Sequence, residues 1–426
     1  MTLLLLLLAC TTDPTPEPAS EPEPAPDVSP PAPTTPATPA TPTVWSRENI
    51  AGFSPALPSH HAKTPAVLEE TPAITQTIAR LEAVVDARAG DPGNPWAIAH
   101  GLLAQGADWK LTNGEPAVDW LFAEYAETFP VSGRAYVRFP EARGDVRIEP
   151  HAEMILKVLT EIGVSPDHSV MVGGEPYTVA DLYRGSLLNN YLQPERNHSS
   201  FHSTDDMAWA LQGLAAWAPS KMVWVAADGT PMALDSFTNF NVAVLHKEME
   251  DVAQAMKTGG TFERNGQGIF RYTCGGAHLL QGAGFAVARG FGDEKITPIF
   301  AQQIDLAYYR YGRELKIYND AMQRYGEEYM TQLVVQQLKF TGHFLESMHK
   351  LAAMGLYTPS PAQKKVLEDA ATRVALNVDR LHRMGIYDNL DALRAKNEQL
   401  YLDVIGDSAH ALHGLKIALG QDVVRY

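Results

Sequence analysis

Six segments of this chain place a histidine or tryptophan beside small and apolar residues, and a repeat restricts the fold more than any single motif does. They are Ala99-His100-Gly-Leu102, His151-Ala152-Glu-Met154, Ala208-Trp209-Ala-Leu-Gln-Gly213, Cys274-Gly-Gly-Ala-His278-Leu-Leu-Gln-Gly282, Gly342-His343-Phe-Leu345 and Ala409-His410-Ala-Leu412-His413-Gly414. With His100, His151, Trp209, His278, His343 and His410 as registers, the steps are 51, 58, 69, 65 and 67 residues. The fourth copy reads as the start of a helix, with Cys274 and His278 four apart on one face. A second pattern recurs in phase with the first. Gly114-Glu-Pro116, Gly174-Glu-Pro176 and Gly229-Thr-Pro231 each precede an apolar run, and the β-rich stretches Val170-Met-Val172 and Val223-Trp-Val225 precede the last two. A short hairpin feeding a helix is the reading for these modules.

Apolar periodicity predicts helices over residues 66–88, 234–256, 275–289, 296–317, 328–354, 361–383 and 408–419. With two helices in each early module, the total is about twelve, alternating between register-bearing and partner helices. The first helix has no partner before it and the last has none after it, so the two can pair and close a ring. This count and closure resemble the (α/α)6 toroid, an all-α fold in which six inner helices are wrapped by six outer ones. Here the fold would carry short β-hairpin insertions. An open superhelical array of helix pairs stays as the alternative.

Before this domain, assigned to residues 45–426, the chain is of a different kind. Leu7-Leu8-Ala9-Cys10 ends a leucine-rich run and resembles the lipobox of bacterial lipoproteins. The resemblance implies a signal over residues 1–9, lipidation of Cys10, a membrane partner through the lipid anchor, and export. Thr11, rather than Asp, after the cysteine implies the outer membrane. Residues 13–44 hold 12 prolines and five acidic residues with no basic or aromatic ones. Residues 10–44 therefore read as a lipidated cysteine and a disordered, proline-rich stalk reaching roughly 100 Å. The formal charge of −16 excludes nucleic acid as a partner. With Cys10 lipidated, Cys274 has no disulfide partner in the chain.

The register histidines are the candidate substrate-binding residues: in a toroid His100, His151, His343 and His410 converge on one mouth, with His202 from a neighbouring polar segment. Cys274 and His278 are the candidate metal ligands, since a thiolate and an imidazole suit zinc; His343, His410, Asp407 and Asp206 are candidates to complete the set. Protein prenyltransferase toroids also bind zinc with Asp, Cys and His. Asn197-His198, with Phe201 three residues on, resembles the Asn-His signature of toroidal polysaccharide lyases, which implies acid/base chemistry for Asn197 and His198, with Tyr272 as a partner. Asp205 and Asp206 resemble the paired acids of toroidal glycoside hydrolases. The same stretch also reads as a helix cap, with Ser203 and Thr204 before acids in the first turn.

Three functions follow as expectations. The first is an enzyme acting on envelope or extracellular carbohydrate, a lyase or hydrolase, through Asn197, His198, Asp205 and Asp206. The second is a zinc-dependent enzyme or zinc-binding protein built on Cys274 and His278. The third is a non-catalytic envelope scaffold.

Overall fold

The computed structural model describes residues 43–57, 61–63, 67–262, 268–271, 274 and 276–426. The leader, Cys10 and the linker through residue 42 lie outside the described residues, as does Tyr272. The protein is mostly helical, with fourteen helices among the described residues and a few short strand pairs. The helices are α1 (Pro72–Val84), α2 (Pro95–Gln105), α3 (Ala117–Tyr125), α4 (Met154–Ile162), α5 (Val179–Asn189), α6 (Thr204–Trp217) and α7 (Leu234–Glu248). They continue with α8 (Glu250–Thr258), α9 (Ala277–Ala288), α10 (Ile296–Tyr325), α11 (Met330–Ala353), α12 (Pro361–Arg383), α13 (Leu390–Lys396) and α14 (Glu398–Ala418).

Local chemistry sets the helix ends. Thr71 and Asn94 cap α1 and α2, each with proline in the first turn. Ser203 with Asp206 forms a capping box on α6, and Ser360 with Gln363 forms one on α12. The stretch 234–256, expected as one helix, breaks at Met249 (φ −92°, ψ 4°) into α7 and α8. That break and the short α13 raise the count from twelve to fourteen. The hairpins at Ser169–Val172 with Glu175–Thr178 and at Val223–Val225 with Pro231–Ala233 are those the sequence predicts. The first copy shrinks to a single bridge between Lys110 and Pro116. A longer hairpin, Glu127–Val131 with Arg134–Arg138, was not expected; it turns through Ser132 (φ 50°) and Gly133 (φ 77°). Two left-handed residues in a two-residue turn match the right-handed twist of the strands.

Contacts between helices follow a cyclic order. α2 packs on α4, α4 on α6, α6 on α9, α9 on α11, α11 on α14, and α14 on α2. The intervening helices lie against these six: α3 on α2, α5 on α6, α7 on α6 and α9, α10 and α12 on α11, and α1 on α12 and α14. The apolar core forms two clusters, one around α2 to α6 and the other around α7 to α14 with α1. Glycines allow the register helices to approach closely. A Cβ on Gly282 would stand 2.2 Å from the Ala208 carbonyl oxygen, and one on Gly414 would stand 3.0 Å from the Glu346 nitrogen. No helix among the described residues is long and apolar enough to cross a membrane.

Candidate functional site

A cavity of about 530 Å³ opens among the six cyclically packed helices. An arc of rings lines it. Trp96 lies 4.1 Å from His100, His100 lies 5.3 Å from His410, and His410 lies 3.9 Å from His343, centroid to centroid. His343 is 5.6 Å from His278, which touches Trp209 at 4.1 Å and His151 at 5.6 Å. All six register residues therefore meet at one cavity. They do so from different heights: His151 stands before α4 and His278 in the first turn of α9, whereas His343 and His410 lie mid-helix.

The hydrogen bonds of these histidines assign their tautomers. His100 Nδ1 lies 2.8 Å from the Trp96 carbonyl oxygen, and His410 Nδ1 lies 2.8 Å from Glu346 Oε2. Each Nδ1 donates, which leaves the Nε2 lone pair available. His151 Nδ1 makes a longer contact of 3.4 Å with Asp206 Oδ1. His343 is buried, its Nδ1 has no hydrogen-bond partner among the described residues, and the carboxylates of Glu346 and Asp407 are each 3.9 Å away. Burial, with the neighbouring His343, His151 and His410, pushes His278 well below its usual value; burial and His410 do the same to His343. Both rings are neutral and able to ligate.

Donor atoms of Cys274, His278 and His343 lie within 4.8 Å of one another. Cys274 is not on the helix with His278, as the i, i+4 spacing suggested. It sits in the turn before α9, where Gly276 (φ 73°) leads into the helix and the Ala277 N–H donates to the Cys274 carbonyl oxygen at 3.1 Å. A Cβ at Gly276 would strike the Ile269 side chain, so that turn requires glycine. Lys339 completes the neighbourhood, paired with Asp403 at 3.0 Å. Burial pulls its ammonium down, but Asp407, Cys274 and Asp403 together hold it above the ordinary lysine value.

Two further donor sets have the same spacing, His343–Glu346–His410 and Glu161–Glu346–His413. Cations already claim their carboxylates. Glu346 accepts from Lys350 at 2.6 Å, His413 Nδ1 at 2.8 Å and His410 Nδ1 at 2.8 Å. Glu161 pairs with Lys157 at 2.8 Å and with Lys350, and accepts from Gln212 at 3.0 Å. Burial alone would raise both carboxyls. Lys350 with His410 holds Glu346 well below the carboxylate range, and Lys157 with Lys350 holds Glu161 at about 2. A metal there would have to displace ammonium groups, so these sets form the ionic floor of the ring. The Cys274–His278–His343 set contains no carboxylate, and no fourth cysteine, histidine or carboxylate among the described residues joins it within the same spacing.

The 197–206 segment lies elsewhere. Asn197 is exposed in a left-handed turn (φ 49°), and His198 is exposed, bonded to Asp228 at 2.6 Å and stacked on Tyr191. His202 is 87% exposed and lines a separate surface pocket. Asp205 lies in the first turn of α6, and its side chain is outside the described residues. Asp206 accepts from the Ser203 N–H at 3.1 Å, as the helix-cap reading requires, and is the one member that reaches a cavity residue, His151. The structure thus does not gather Asn197, His198 and His202 around the cavity.

Sequence reasoning missed the floor: Lys157, Glu161, Gln212, Gln281, Glu346, Lys350 and His413. The signal was present. Trp209-Ala-Leu-Gln212, His278-Leu-Leu-Gln281, His343-Phe-Leu-Glu346 and His410-Ala-Leu-His413 each set a polar residue three positions beyond the register, on the same helix face. Compared with family models, curated proteins and solved structures, the chain matches none of them.

Proposed function

We propose that this chain is an (α/α)6 toroid that holds zinc at Cys274, His278 and His343 and uses it to activate water against a ligand in its central cavity. One observation carries the reading: a thiol and two buried imidazoles converge on the cavity wall, and no fourth cysteine, histidine or carboxylate among the described residues joins them within the same spacing. Three protein ligands with an open position is the pattern of catalytic zinc, whereas structural zinc has four. Bound zinc would lower the pKa of its water to about 7. His410, oriented by Glu346, and His151, oriented by Asp206, present nitrogen acceptors to the same cavity and would take the water's proton. The cyclic packing of the six register helices, with outer helices against α2, α6, α9, α11 and α14, supports the toroid. A cavity of about 530 Å³ is the size of a small-molecule site.

Envelope carbohydrate remains the substrate class that the toroidal resemblance implies, and the lipid anchor at Cys10 with an outer-membrane location is the address that the leader implies. The test is cobalt(II) substitution of the full chain. A thiolate-to-cobalt charge-transfer band in the near ultraviolet, absent in Cys274→Ser, is expected; a wild-type chain that takes up cobalt without that band would overturn the ligand set.

A further inference from the structure

Lys157 is a buried ammonium on the cavity wall whose hydrogen-bonding capacity is mostly unused. Its side chain is 1% exposed, yet it lines the cavity beside Trp209, whose ring lies 4.4 Å from Nζ. An ammonium has three donors. Among the described residues Lys157 has one acceptor, Glu161 Oε2 at 2.8 Å, and that oxygen also accepts from Gln212. Lys350 differs: it reaches both Glu161 and Glu346 and accepts no role at the cavity. His413 has Glu346 on one nitrogen and Asp422 on the other, at 3.4 Å. The remaining cavity cation of this depth, Lys339, is paired with Asp403. Lys339 also has Asp407 at 3.9 Å, so among the described residues Lys157 is the deep cavity lysine with a single carboxylate neighbour.

We propose that Lys157 is an oxyanion-binding group, and that the cavity takes a small ligand whose carboxylate or phosphate accepts from its ammonium. This deepens the zinc reading, because it puts the anionic end of the ligand on α4 and leaves its reactive end to the Cys274–His278–His343 wall. Electrostatics agree with it. Burial and Lys350 pull the Lys157 ammonium down against the support of Glu161, and an oxyanion from the cavity side supplies a second counter-charge together with the missing acceptors.

The test is calorimetric titration of the full chain with inorganic phosphate and, separately, with succinate, with zinc counted on the same samples. Saturable binding of either probe at one site is expected, weakened about tenfold to a hundredfold in Lys157→Met and partly restored in Lys157→Arg. Phosphate alone would identify a phosphate ligand and succinate alone a carboxylate ligand. Binding that survives Cys274→Ser but not Lys157→Met supports the inference whether or not zinc is found. Binding lost in Cys274→Ser and kept in Lys157→Met would place the anion on the metal and overturn it, as would no binding of either probe by the wild type. A measurement independent of the variants' folding is the unfolding midpoint of the wild-type chain: saturating probe should raise it, and an unchanged midpoint contradicts the inference.

Discussion

His343 and Glu346 stand one turn apart on α11 and belong to two regions that treat buried polarity in opposite ways. Around Glu346, cations and carboxylates from three helices close on one another: Lys157 and Glu161 of α4, Glu346 and Lys350 of α11, and His413 of α14, with the Gln212 amide of α6. Around His343, the rings of α9, α11 and α14 touch, with no hydrogen bond to the His278 or His343 side chain among the described residues. A buried polar group without a partner is costly and persists where something else satisfies it. The floor pairs its charges across helices, with the spare donors of Lys157 as its exception; the wall gathers rings that make no such pairs among the described residues.

The largest expected effect breaks the floor. Lys350→Met leaves Glu161 and Glu346 without their shared counter-ion and should cost about 3–5 kcal/mol in denaturant unfolding. A loss below about 1 kcal/mol would mean that the floor does not hold the ring. Next comes Gly282→Ala, whose Cβ would meet the Ala208 carbonyl at 2.2 Å. Forcing α6 from α9 there should cost about 1–3 kcal/mol, read as a lower unfolding midpoint.

Acidity separates the regions further. Burial and His410 hold His100 down at about 3, and burial holds His349 at about 4, against 6.5 when unfolded. Below pH 6.5 the unfolded chain binds protons that the folded chain refuses, so stability falls with pH by about 1.4 kcal/mol per unit for each ring. His413 has the opposite sign. Burial lowers it, but its bonds to Asp422 and Glu346 prevail and raise it above 6.5. Its contribution is complete below pH 6.5 and is lost as pH rises through the folded value. Unfolding midpoints across about pH 5 to 9 should therefore peak near neutrality, with His100→Phe flattening the acid limb and His413→Gln the alkaline one. The smallest effect lies outside both regions: His198→Ala removes a solvent-facing contact with Asp228 and should change stability by less than about 1 kcal/mol and leave metal content unchanged.

Much of this was legible in the sequence. The repeat placed the register residues, and those six side chains meet at the cavity, five from α2, α6, α9, α11 and α14 and His151 from the turn before α4. Residues 361–383 could be read to their ends, since Ser360, Pro361 and Gln363 mark the start and basic residues the finish. The 197–206 segment misled because polar residues at a helix start serve capping as readily as chemistry, and Asp206 caps. Lys350 and Glu161 were hidden for a different reason. Charged residues on a helix are read as solvent-facing, and only the closure of distant helices, α4 against α11, makes this pair internal.

Zinc content tests the Cys274–His278–His343 wall most directly. The full chain, purified untagged and without chelators, should carry close to one zinc per molecule, and Cys274→Ser and His343→Ala should each carry almost none while remaining folded. Zinc absent from the wild type, or equal in all three proteins, would contradict the account.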